Sequence, residues 1–195
     1  MENMDDDGLL AFIARRIKSD IDLINGLIAS EKRNPCSGGR QLIDMGRLKT
    51  RIRAVSLGME ALFLDQSPYQ VDLVRHLGFV VLEAAENAGI PADWTAPPGP
   101  LLCPDRRAIL AGLALGDLCY LSGSVRVSLT AVDPGIAVCD IRADCLDESS
   151  WVWNGEAHCA FARTILQDDV GGFLEMDSQR IRIGIPLGMP PERDA

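Results

Sequence analysis

Two histidines, His76 and His158, and six cysteines are the side chains of this chain best suited to covalent or metal chemistry. A histidine can accept a phosphoryl group or move a proton, but that use needs an exposed ring with a base or amide beside it. His76 sits in LVRHLGFVV and reads as a partly buried helical residue rather than a phosphoacceptor; His158 reads the same way. Cys36, Cys103, Cys119, Cys139, Cys145 and Cys159 include no CxxC pair. A zinc site needs clustered thiolates or imidazoles, so no metal site is expected. The cysteines lie in apolar or strand-like runs and read as buried small hydrophobes. Scattered thiols also point to a reducing cytoplasm. Asp5–Asp7 form an acidic flank suited to a helix start, and Arg47, Lys49, Arg51 and Arg53 read as a mostly solvated basic face.

The elements that would hold these groups follow from composition and periodicity. Of the 195 residues, 47% are hydrophobic but only 5% aromatic, which predicts an aliphatic core. The formal charge of −9 argues against nucleic acid and anionic membranes as partners. The acidic start MENMDDDGLL lacks the basic-then-apolar order of a signal peptide. No run approaches the roughly 20 apolar residues that span a bilayer.

Leu10, Ile13, Ile17, Ile21, Ile24 and Ile28 step by three or four residues and predict a helix over 9–30. The loop EKRNPCSGG follows. Met45, Leu48, Ile52, Val55, Met59 and Leu62 then form a heptad-like seam on a second helix. One hairpin cannot bury two such stripes, so a second copy completing a four-helix bundle is expected, and the chain reads as a homodimer.

Beyond Pro68 the pattern changes. Helices are predicted at 71–88, 105–122 and 156–169, and strands at SVRVSLTAV, GIAVCDIRAD, FLEMDS and RIRIGIPLG. ADWTAPPGPLLCP reads as a short extended piece and PPERDA as a frayed tail. The predicted class is α+β, with a helical dimerisation hairpin over 1–66 and a mixed α/β domain over 67–195.

Two of these segments carry a resemblance. Residues 15–24 read R-R-I-K-S-D-I-D-L-I, and residues 51–59 read RIRAVSLGM. Together with the element order they resemble sensor histidine kinases related to the HWE subgroup, whose hairpin motifs read roughly H-R-V-K-N-N-L-Q-L-I and R-I-R-A-M-A-L-V-H. The resemblance implies a hairpin that dimerises and carries a phosphoacceptor histidine, followed by a Bergerat-type α/β sandwich that binds ATP.

The departures remove chemistry. Arg15 stands at the phosphoacceptor position, and a guanidinium has no free lone pair with which to attack phosphate. The family's N-E-L-V-T-N-A helix appears as GDLCYLS, which puts Leu121 where an asparagine holds Mg²⁺. The adenine-binding D-x-G appears as Asp144-Cys145-Leu146, keeping the aspartate and losing the glycine. The glycine-rich phosphate loop appears as Ala157-His158-Cys159. Trp151 and Trp153 read as filling space that a nucleotide would occupy.

The resemblance thus implies a non-catalytic relative that uses no cofactor and binds a response-regulator receiver domain or another two-component partner. The docking level would comprise Ser19, Asp22, Leu23, Gly26, Val55, Ser56, Met59 and Phe63, with Gly26 and Gly58 leaving room for a partner's side chain. A histidine phosphotransferase-like phosphorelay protein is the alternative. It accounts for an eroded nucleotide site but still needs a hairpin histidine.

Overall fold

The computed structural model describes residues 18, 21–26, 28, 45–64, 70–120, 125–133, 135–142, 159–177 and 180–188. The chain divides into two compact units, Met1–Leu48 and Lys49–Ala195. The boundary expected at 66/67 lies outside the described residues. In the first unit, helix α1 is described over 21–26. Ile21, Asp22 and Gly26 are exposed on it, and Leu23 and Ile24 are half-buried.

Helix α2 spans Met45–Leu64. Strand β1 (Gln70–Asp72) leads directly into α3 (Leu73–Ala88). Asp72 starts that helix by adopting an extended backbone and accepting a hydrogen bond from the Val74 N–H. The helix therefore begins two residues later than the apolar pattern suggested, and Val71 goes to the strand. Gly89 ends it in the left-handed conformation, with its N–H turned back to the Ala85 and Glu86 carbonyls. Leu73, Leu77, Val80, Val81, Ala84 and Ala85 face the core.

The proline-rich piece resolves into β2 (Ala92–Thr95) and β3 (Leu102–Pro104). β3 pairs antiparallel with β1. Helix α4 (Asp105–Tyr120) follows Pro104 at once, with Asp105 in its first turn, where a carboxylate suits the helix dipole. Every residue from Ala108 to Cys119 is buried. Helix α5, described over 159–170, closes with a π-helical stretch at Ile165–Val170.

Strands β4 (Val125–Asp133), β5 (Ile136–Arg142), β6 (Phe173–Met176) and β7 (Arg180–Pro186) complete a five-stranded sheet in the order β2-β4-β5-β7-β6. Among the described strands of this sheet, the β2–β4 pair is parallel and the others are antiparallel. One face is apolar: Val125, Val127 and Leu129, then Ala137, Cys139 and Ile141, then Ile181, Ile183 and Ile185 are all buried. Their two-residue period is the one that predicted these strands. Helices α3 and α5 meet the sheet, and α4 packs against both helices. No helix among the described residues is long and apolar enough to cross a membrane.

Candidate functional site

Helix α2 meets the α/β body through its small and polar face. Thr50, Arg51, Ala54 and Gly58 turn inward, and Ala54 and Leu57 cluster with Val80 of α3. The small side chains let the backbones approach closely. A side chain at Gly58 would collide with Ile109 of α4. Thr50 accepts a hydrogen bond from the Asn87 amide at 3.3 Å.

At the centre of the junction the Arg51 Nε donates to Asp117 Oδ1 at 2.7 Å, with side-chain exposures of 1% and 0%. The guanidinium also lies 3.9 Å from the centroid of the Phe161 ring on α5. One arginine on α2 therefore engages α4 by charge and α5 by a cation–π contact.

This arrangement corrects the reading of a solvated basic face. Arg47 and Arg51 are buried, Arg53 is part-exposed and pairs with Glu60 at 2.7 Å, and Lys49 is exposed. Sequence periodicity followed the apolar seam of Met45, Leu48, Ile52, Val55 and Met59. The chain buries Leu48 and Val55 of that seam together with the face beside it, Thr50, Arg51, Ala54 and Gly58. The signal for it was the four-residue spacing of Thr50, Ala54 and Gly58, a strip of small residues that permits close helix approach.

The expected docking residues separate accordingly. Val55 is 0% exposed within the single chain. Gly58 meets Ile109 and offers no room to a partner. Neither is a free contact. Ser56 and Met59 are half-buried, and the Ser56 hydroxyl donates to the Ile52 carbonyl at 3.1 Å. On α1, Asp22 and Gly26 are exposed, Leu23 is half-buried, and nothing lies within 4 Å of a side chain built at Gly26. Ser19 and the Phe63 side chain lie outside the described residues.

So do Arg15 and the nucleotide-site residues Leu121, Asp144, Leu146 and Ala157, along with Trp151, Trp153 and His158. Cys159 opens the described part of α5. It is buried, and burial raises its thiol pKa; Arg163 opposes that rise and Asp117 adds to it. Burial also pushes Cys103 and Cys119 up to about 12, so both are protonated and unreactive at neutral pH.

His76 is buried against Gly112 of α4, where a Cβ would run into the imidazole. Neither ring nitrogen has a hydrogen-bond partner of good geometry among the described residues. A ring so enclosed is no phosphoacceptor. Burial lowers its pKa from 6.5 to about 4, slightly offset by Ala108. Below pH 6.5 the unfolded chain takes a proton on this ring that the folded chain refuses. Stability is thus fully present above 6.5 and falls as the pH drops toward 4, by roughly 3 kcal/mol. Thermal melts at pH 7 and pH 4.5 are expected to show this loss, and His76→Leu should remove that part of the pH dependence. An unchanged pH dependence in the variant would contradict the assignment.

No protein-family model and no curated protein matches the chain. Solved structures do. The blue-light activated histidine kinase EL346 of Erythrobacter litoralis superposes with a TM-score of 0.65 at 16% identity, over 89% of this chain and 63% of that one. The histidine kinase domain of the same protein gives a TM-score of 0.58 at 14% identity, over 87% of this chain and 94% of the domain. The chain thus spans less than two thirds of the longer structure and nearly all of its kinase domain. At such identity the likeness is one of fold, and the chain has the α+β fold of histidine kinases.

Proposed function

We propose that this protein is a non-catalytic histidine-kinase-like component of two-component signalling, which binds a response-regulator receiver domain and transfers no phosphoryl group. The observation that carries the reading is the buried Arg51–Asp117 pair. Asp117 belongs to GDLCYLS, the segment that resembles the nucleotide-binding helix of the kinases, and its carboxylate is held by an arginine of α2. An acidic group committed in this way is not at the disposal of a nucleotide. Arg15, Leu121, Leu146 and the glycine-poor stretch Ala157-His158-Cys159 point the same way from the sequence.

Binding falls to the flank of α2 that the body leaves accessible, where Ile52, Ser56 and Met59 are half-buried. This strip is apolar with one hydroxyl and suits the apolar face of a partner helix. Dimerisation through the apolar stripe of residues 10–28 is part of the same proposal.

A panel of receiver domains from the source cell, titrated by calorimetry without ATP, tests the reading. One receiver is expected to bind stoichiometrically. Met59→Asp is expected to weaken it at least about tenfold, by placing a charge in the apolar contact, while leaving the thermal melt close to wild type. Unchanged affinity in that variant would reject α2 as the docking element. Micromolar binding of ATP and Mg²⁺ would reject the non-catalytic reading.

A further inference from the structure

The sheet face opposite the apolar one carries an unusual alignment of charge. Arg126 on β4, Arg142 on β5 and Arg180 on β7 are direct register partners across three adjacent strands. Each alternates with buried neighbours, so all three stand on the outer face. Neighbouring strands are about 4.8 Å apart. Like charges set directly opposite one another destabilise a sheet, and here the repulsion is doubled at the central residue.

The next row along the same strands is built differently. Ser128, Asp140, Arg182 and Glu175 are register partners there. Arg182 lies 3.3 Å from both Asp140 and Glu175, so its charge is met from two sides. The row of three arginines has no acid of its own on β4, β5 or β7. On β2 the row continues with an acid, Asp93, the register partner of Arg126 and 3.7 Å from it, and Arg180 reaches sideways to Asp140 at 2.6 Å. Arg142, exposed between them, makes no ion pair among the described residues.

We infer that this row is a binding surface for an acidic polypeptide segment, whose carboxylates take the positions that acids occupy in the neighbouring row. A guanidinium offers five N–H donors in a planar fork that matches a carboxylate. The neighbouring row shows that the spacing of this sheet accepts carboxylates between arginines. A nucleic acid is the poorer occupant, because the long-range field of a chain with a charge of −9 repels a polyanion. A short acidic segment brings few charges and meets the arginines at close range. The surface lies on the sheet and is separate from the α2 flank.

The test uses the full chain and fluorescence anisotropy. The probe is a labelled peptide of alternating glutamate and serine; a glutamine–serine peptide and a single-stranded oligonucleotide of equal length serve as comparisons. The glutamate peptide is expected to bind, and added salt to weaken it. Arg142→Glu is expected to lower its affinity about tenfold or more by setting like charges against each other, and Arg142→Gln to lower it by a smaller factor. Arg106→Glu, an exposed charge reversal on α4, should change it by less than about twofold. Failure of the glutamate peptide to bind, equal effects of Arg142→Glu and Arg106→Glu, or binding of the oligonucleotide in preference to the peptide would each overturn the inference. Arg142→Gln keeps the test decisive if the charge reversal disturbs folding.

Discussion

Asp117→Ala is expected to destabilise the protein by about 3–5 kcal/mol, the usual cost of breaking a buried ion pair by removing one partner. The reason is the position of Arg51, which has 1% of its side chain exposed and cannot turn to water when the carboxylate is gone. Phe161 remains beside the guanidinium, but a desolvated cation–π contact is worth only about 2 kcal/mol and is already present in the wild type. For a chain of this length the melting temperature should fall by on the order of 10 °C. Arg51→Met should also destabilise the protein, because the buried Asp117 loses its 2.7 Å guanidinium partner. The double variant Arg51→Met with Asp117→Leu is the informative control. Replacing both charges by apolar groups of similar volume is often neutral or stabilising, so the double variant should be more stable than either single one. Urea denaturation of the four proteins gives the comparison. If Asp117→Ala lies within about 1 kcal/mol of wild type, the junction is hydrated and the pair does not hold α2 in place.

That pair also marks where sequence reasoning stops. Strands β4, β5 and β7 were legible because Val125, Val127 and Leu129, and their counterparts in β5 and β7, repeat every second residue against polar neighbours. Helices α3 and α4 were legible from long apolar runs; the start of α3 is displaced by two residues because Asp72 caps it, and the end expected for α4 at 122 lies outside the described residues. The short strands β2 and β3 were legible only as one extended piece, since prolines and glycines dominate their surroundings and two or three apolar residues make no period. The junction itself was invisible for a different reason. Arg51 and Asp117 lie 66 residues apart, and no local pattern says which acid an arginine will meet. The arginine row has the same character. Each arginine alone is an ordinary outward residue of an alternating strand, and only the register sets the three side by side.

The candidate site was read unevenly for the same reasons. The seam of α2 was correctly seen as apolar, but its direction was inferred from the assumption that a hairpin buries its stripes against a second copy. Within the single chain, small residues at Thr50, Ala54 and Gly58 let the helix settle on α3 and α4, which places Val55 inside and leaves Met59 at the margin. His76, read as partly buried, is wholly buried, because Gly112 opens a slot for its ring.

Val55→Asp distinguishes the two views of α2 more sharply than any other substitution. If the seam faces only a second copy, a charge at Val55 should dissociate a dimer and leave each chain folded. In this structure Val55 has no exposed surface in the single chain. A carboxylate there would lose its water without gaining a partner and would have to remain protonated or expel itself by opening the helix packing. The expected loss is about 4 kcal/mol or more, which falls in the rare severe class of single substitutions and is a large share of a typical domain's stability. Met59→Asp, one turn further along and half-exposed, should cost far less, because its carboxylate can turn to solvent. Ile52→Asp should fall between them. Thermal melts and sedimentation velocity on the three variants give both quantities at once. A Val55→Asp protein that melts like the wild type and differs only in its oligomeric state would mean that α2 presents its seam to a second copy and that its packing on the α/β body is secondary. A steep fall in melting temperature at Val55 with little change at Met59 would establish α2 as a structural helix of the body, whose outer flank alone is free to bind.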